Sequence, residues 1–128
     1  MLCIEVVQLA TNGFDGVVHA PENITSPFDE KNLPEQSMWE WERLDNADVI
    51  VFWVPREFPK NPGMTTNIEY GRYVTCRPKS CVYGRPEYAN KMQYMDLFWK
   101  RFGDKDCPMQ IHLSDTLDQA LKKVGIEV

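Results

Sequence analysis

The segment Asp48-Val49-Ile50-Val51-Phe52-Trp53-Val54 constrains the fold of this chain more than any other. After the leading Asp it is an unbroken run of β-branched, aromatic and other apolar side chains, stopped by Pro55. A strand that is apolar at every position has no face to give to water. It belongs in a sheet covered on both sides, as parallel sheets are. Three further strands are expected at Val17-Val18-His19-Ala20, Ser80-Cys81-Val82-Tyr83 and Met109-Gln110-Ile111-His112-Leu113. Helical patterns lie between them. Met38, Trp41 and Leu44 recur at helical spacing, a helix covers Thr66 to Val74, and Met92, Met95, Trp99 and Phe102 form an apolar stripe. Leu117, Ala120, Leu121 and Val124 mark a last helix, with Ser114 as its N-cap. Segments 21–36 and 55–64, each with three prolines, read as loops. Met1 to Ala10 suits a helix stopped at Asn12-Gly13, with a strand over Leu2 to Val7 as the alternative. Strands alternating with helices predict an open, mainly parallel α/β sheet with helices on both faces.

A length of 128 residues suits one domain, 1–128, with a core large enough to fold without metal or disulfide staples. The formal charge of −5 argues against a nucleic-acid backbone binder, which needs a cationic surface. The apolar run at Val49 is too short to span a bilayer, so no membrane partner is expected. The opening Met1-Leu2-Cys3-Ile4-Glu5 lacks the basic region of a secretory signal, which makes the cytoplasm the expected location. Cys3, Cys76, Cys81 and Cys107 form no C-x-x-C pair, and no cluster of His, Cys, Asp or Glu has metal-ligand spacing. Neither metal nor other cofactor is implied. There is no G-x-G-x-x-G, Walker lysine motif or G-x-S-x-G, so dinucleotide, NTPase and serine-hydrolase chemistries have no support.

Ligands of open parallel sheets bind beyond the carboxyl ends of the strands. After the central strand the chain runs Pro55-Arg56-Glu57 and onward to Thr65-Thr66-Asn67-Ile68-Glu69-Tyr70-Gly71. Glu69 is expected in the first turn of the next helix, where the helix dipole favours its ionised form, which makes it a candidate nucleophile. Thr66-Asn67-Ile68-Glu69 also fits a T-x-x-E capping box, in which Glu69 satisfies a helix amide instead. Ser37-Met38-Trp39-Glu40 poses the same choice for Glu40, with Trp39 and Trp41 beside it. Two carboxylates from separate helix starts are what glycosyl chemistry uses. Gly84 would let backbone approach a ligand or simply make a turn, and Arg56 is either a phosphate contact or a solvated loop charge.

These segments together resemble the nucleoside 2-deoxyribosyltransferase-like family. The resemblance is carried by Gly13-Phe14-Asp15-Gly16-Val17-Val18, Pro21-Glu22 and Trp39-Glu40, then by Ala47-Asp48-Val49-Ile50-Val51-Phe52-Trp53-Val54-Pro55-Arg56. Thr65-Thr66-Asn67-Ile68-Glu69-Tyr70-Gly71-Arg72 and Gly84-Arg85-Pro86 complete it. It implies a flavodoxin-like three-layer α/β sandwich and a site for a deoxynucleoside or its monophosphate. It implies Glu69 as nucleophile and Glu40 as the acidic residue that positions the sugar. Trp39, Trp53 and Tyr70 are then candidates to stack on the base. Pro55, Arg56, Thr65, Thr66, Asn67 and Gly84 complete the substrate-binding set. The family opens with a strand and a glycine-containing loop before its first helix, whereas the resemblance implies that this chain starts inside that helix. About 20 residues of strand and loop are then missing from mid-sheet. A partner chain fills the gap, Leu2 to Val7 replaces the strand, or the fold is compromised.

Two functions follow. One is N-glycosyl transfer or hydrolysis on 2′-deoxynucleosides or their monophosphates through a glycosyl-enzyme on Glu69. The other is a non-catalytic nucleotide- or nucleoside-derivative-binding module of the same fold. A homodimer or larger homo-oligomer is expected in either case.

Overall fold

A computed structural model describes residues 33–57 and 64–125. The helix or strand expected within Met1 to Ala10, the strand Val17 to Ala20, and most of both proline-rich loops lie outside the described residues. Among those described, the chain is mixed α/β. Its elements are α1 (Leu33–Asn46), β1 (Ile50–Trp53), α2 (Met64–Cys76), a 3-10 turn (Pro78–Ser80), β2 (Cys81–Gly84), α3 (Gln93–Phe102) and α4 (Leu113–Lys123).

The central run forms β1, and all four of its residues are buried, as are all four of β2. The two strands pair in parallel, with Ile50 opposite Cys81 and Trp53 opposite Gly84. Val54 N–H extends the ladder by donating to Gly84 O at 3.0 Å. Side chains alternate across a strand. Phe52 and Tyr83, opposite each other in register, meet Tyr70 of α2 edge-on at 5.4 and 5.1 Å between ring centroids. One residue along each strand, Gly84 lies against Thr116 of α4 and beside the Trp53 ring. Trp99 of α3 packs on Tyr83 at 5.9 Å and donates its indole N–H to Cys107 O at 2.9 Å.

The fourth expected strand shrinks to a single parallel bridge between Gly84 and Gln110. Pro108 has no N–H to lend to a ladder, and Leu113 is already the first residue of α4. The N-cap of α4 is His112 with extended backbone, not Ser114, which lies inside the helix. The helix before β1 also starts earlier than expected, at Leu33 instead of after residue 36. Pro34 fits there because a first-turn N–H has no helical partner to lose. Of its apolar trio, Leu44 is buried, whereas Met38 and Trp41 are exposed. Phe102 is likewise exposed at the end of the α3 stripe.

Charged side chains close the ends of these elements. Arg77 donates through Nη1 to Leu44 O at 2.9 Å and Asp45 O at 3.2 Å, and through Nη2 to Ala47 O. It thereby satisfies carbonyls that the C-terminus of α1 leaves open. Asp104, buried after α3, takes Lys123 Nζ at 2.7 Å and Lys79 Nζ at 3.0 Å. Burial works to raise its pKa, but Lys123, the Asp106 amide and Lys79 together hold it down at about 2.

Two outcomes are expected. A Cβ on Gly84 would sit 2.2 Å from Thr116 Oγ1 and 3.0 Å from Gln110 O. Gly84→Ala is therefore expected to cost about 1–3 kcal/mol, and Thr116→Ala in the same chain to recover part of it, measured by urea unfolding as a double-mutant cycle. Asp104→Asn is expected to cost about 3 kcal/mol at neutral pH, because it leaves Lys123 without its charge partner. The stability from Asp104 is present above the ordinary Asp pKa and is lost as pH falls towards about 2. The gap in melting temperature between wild type and variant should therefore close as pH falls from about 4 to about 2.

Candidate active site

Helix α2 leaves the carboxyl end of β1 after the loop that carries Arg56, and α1 enters β1 from the opposite end. Neither Glu69 nor Glu40 sits where a capping box needs it. Thr66 is the third residue of α2 and is itself buried, so it is no N-cap. Ser37 lies inside α1, which puts Glu40 in the middle of that helix. Each glutamate is thus released from the capping role that its motif allowed.

Glu69 lies in the second turn of α2 and is only 7% exposed. Its carboxyl is pushed above the usual carboxylate range by burial, with the negative charge of Glu40 a smaller contribution in the same direction. The expectation that the helix dipole would favour its ionised form is therefore corrected. The dipole acts over the first turn and fades beyond it, whereas desolvation acts wherever water is excluded. Glu40 is half-buried on α1, near enough for its charge to act on Glu69. The charges of two carboxylates far apart in the chain are thereby coupled.

Arg56 is buried just beyond β1, and burial lowers the pKa of its guanidinium. Its Nη2 donates to Asn67 Oδ1 in the first turn of α2, and its carbonyl accepts Asn90 N–H at 2.9 Å. Arg56 therefore ties the loop after β1 both to α2 and to the loop after β2. It is not a solvated loop charge. Pro55 beside it is half-buried, and Thr65 and Asn67 are exposed at the head of α2. Trp39, next to Glu40, is exposed and holds the Arg43 guanidinium 5.4 Å above its ring.

Four expected contacts belong to the core instead. The ring of Tyr70 meets Phe52, Tyr83 and Phe98, and its hydroxyl donates to Met95 O at 2.7 Å, which leaves no face for a base. Thr66 is buried, and Trp53 is buried beside Gly84. The close approach at Gly84 is made by Thr116 of α4, not by a ligand. Sequence reasoning also missed Asp96. It accepts the Tyr83 hydroxyl at 2.7 Å and pairs with Arg85 Nη2 at 2.8 Å. An Asp in the first turn of a helix is a visible signal, but nothing in the chain order points to its partners. Among the described residues no group of three metal-ligating side chains occurs, and no helix is long and apolar enough to cross a membrane.

No protein-family model, curated protein or solved structure matches the chain.

A raised pKa on Glu69 makes stability fall as pH rises from the ordinary Glu value through the raised one. Glu69→Gln removes that term. Its melting temperature is expected to match wild type near pH 4, where the carboxyl is protonated either way, and to exceed it at pH 7. Glu40→Gln should lower the Glu69 pKa, read from the carboxyl carbon shift in an NMR titration.

Proposed function

We propose that the chain breaks the N-glycosidic bond of 2′-deoxynucleosides or their monophosphates, with Glu69 as nucleophile and Glu40 as its partner. The observation that carries this reading is the buried Glu69 carboxyl, within electrostatic reach of Glu40 on a second helix. Two neighbouring carboxyl groups are the equipment of a double-displacement glycosyl reaction.

In the first displacement a Glu69 carboxylate oxygen forms a bond to C1′. The C1′–N bond breaks, and its electron pair leaves with the base, which takes up a proton. In the second, water or another base attacks C1′ and returns the electron pair to Glu69. Two inversions leave the configuration unchanged. Glu40 holds a sugar hydroxyl or relays the proton. Trp39 supplies an exposed aromatic wall next to Glu40, and Arg56 with Asn67 fixes the loop at the head of α2. Burial makes the Glu69 carboxylate more basic than a solvated one, which strengthens it as a nucleophile once it is ionised.

The resemblance to the nucleoside 2-deoxyribosyltransferase-like family gives the same reading, and with it the flavodoxin-like three-layer sandwich. Support for that architecture comes from the parallel pairing of β1 with β2, with α2 and α3 against Phe52 and Tyr83 and α4 against Gly84.

The test is base release from 2′-deoxynucleosides and their 5′-monophosphates, with and without an acceptor base. Wild type is expected to release base, Glu69→Gln to lose at least about a thousandfold in rate, and activity to fall as pH drops through the raised Glu69 pKa. A need for acceptor identifies a transferase, and release into water a hydrolase. A folded wild type without release on any of these substrates overturns catalysis and leaves the binding-module reading.

A further inference from the structure

We infer that copies of this chain bind one another through two complementary helix faces, α1 of one copy against α3 of another. This inference is independent of the glycosyl reading. On α1, Glu35, Met38, Trp41 and Glu42 recur every three or four residues and so share one face. Met38 is 66% and Trp41 52% exposed, and both glutamates are exposed. On α3, Tyr94, Leu97, Lys100 and Arg101 share a face in the same way. Tyr94 is 79% and Leu97 66% exposed, and both basic residues are exposed. Asp96, the acidic residue in the first turn of α3, is turned away to Tyr83 and Arg85.

The two faces match in kind and oppose in charge. Each carries two large apolar side chains, one face rimmed by Glu35 and Glu42 and the other by Lys100 and Arg101. Lys105 adds positive charge at the same end of α3, where its ammonium donates to Lys100 O and Arg101 O. Contiguous apolar side chains with a charged rim mark an interaction surface, and aromatic residues, Met and Arg are the types enriched there. A second copy is the occupant because each chain presents both halves of the match. The net charge of −5 works against self-association in general. Local complementarity between an acidic and a basic face overcomes that repulsion in this pairing and sets its register. Repeated symmetrically, the contact closes a dimer. Repeated head to tail, it builds a larger assembly.

Sedimentation velocity across the micromolar range tests this. Wild type is expected to gain mass with concentration. Arg101→Glu and Glu42→Lys, both at exposed positions, should each weaken association by at least about tenfold while circular dichroism stays native. An equimolar mixture of the two variants should associate as wild type does. In a pair of unlike variants both α1–α3 contacts again join opposite charges. Wild type that stays monomeric throughout overturns the inference, as do single variants that associate like wild type. A mixture that fails to recover overturns the pairing of α1 with α3.

Discussion

The seat of Tyr70 is the contact on which the rest of the structure depends. From α2 its ring reaches Phe52 of β1, Tyr83 of β2 and Phe98 of α3. Its hydroxyl ends on the Met95 carbonyl inside α3. One side chain thus joins four elements. Aromatic pairs at edge-on and tilted angles add stability beyond the area they bury, and a satisfied hydroxyl avoids the cost of an orphaned buried donor. Burial also pushes the Tyr70 phenol far above its ordinary pKa, so the hydroxyl stays a donor across the physiological range.

Seating Tyr70 fixes the rotation of α2, and that rotation decides what Glu69 can do. The next residue along a helix points roughly 100° around the axis. With Tyr70 turned to the strands and α3, Glu69 sits at the edge of the same packed region, where the charge of Glu40 reaches it. The carboxyl is therefore desolvated, and repulsion from Glu40 adds a smaller effect. Both effects weaken the folded state at neutral pH, and both make the carboxylate more reactive. Arg56 holds the neighbouring loop by a side-chain bond to Asn67 and a backbone bond from Asn90. The head of α2 is thus braced close to Glu69.

Much of the framework was legible because it is written in local pattern. The unbroken apolar run became β1, and Ser80 to Tyr83 became β2 shifted by one residue, with Gly84 at its end. The helical stripes at Met92 and Leu117 became α3 and α4. The candidate site was legible only in its identities. Glu40 and Glu69 stood out as acids near tryptophan and helix signals, but both matched capping boxes that the helices do not use. A box of four residues depends on where the helix begins, and each helix begins earlier than its Ser or Thr. Tyr70 looked like a stacking residue because sequence shows an aromatic beside a candidate nucleophile. It does not show three other rings closing around it.

Among the described residues the sequence by itself marked the two buried strands and the positions of the four helices, but not the loss of the fourth expected strand, since side-chain period and Gly and Pro punctuation act within a few residues. It determined the chemical inventory too: two acids within capping-box motifs, no metal-ligand spacing, and an acidic net charge. The tertiary structure alone decided the rest. It put Glu40 within reach of Glu69, gave Asp96 to Tyr83 and Arg85, set Thr116 against Gly84, and left Met38 and Trp41 in the open. These contacts join residues that are distant in the chain. Burial and charge coupling depend on distance in space, which local pattern does not contain.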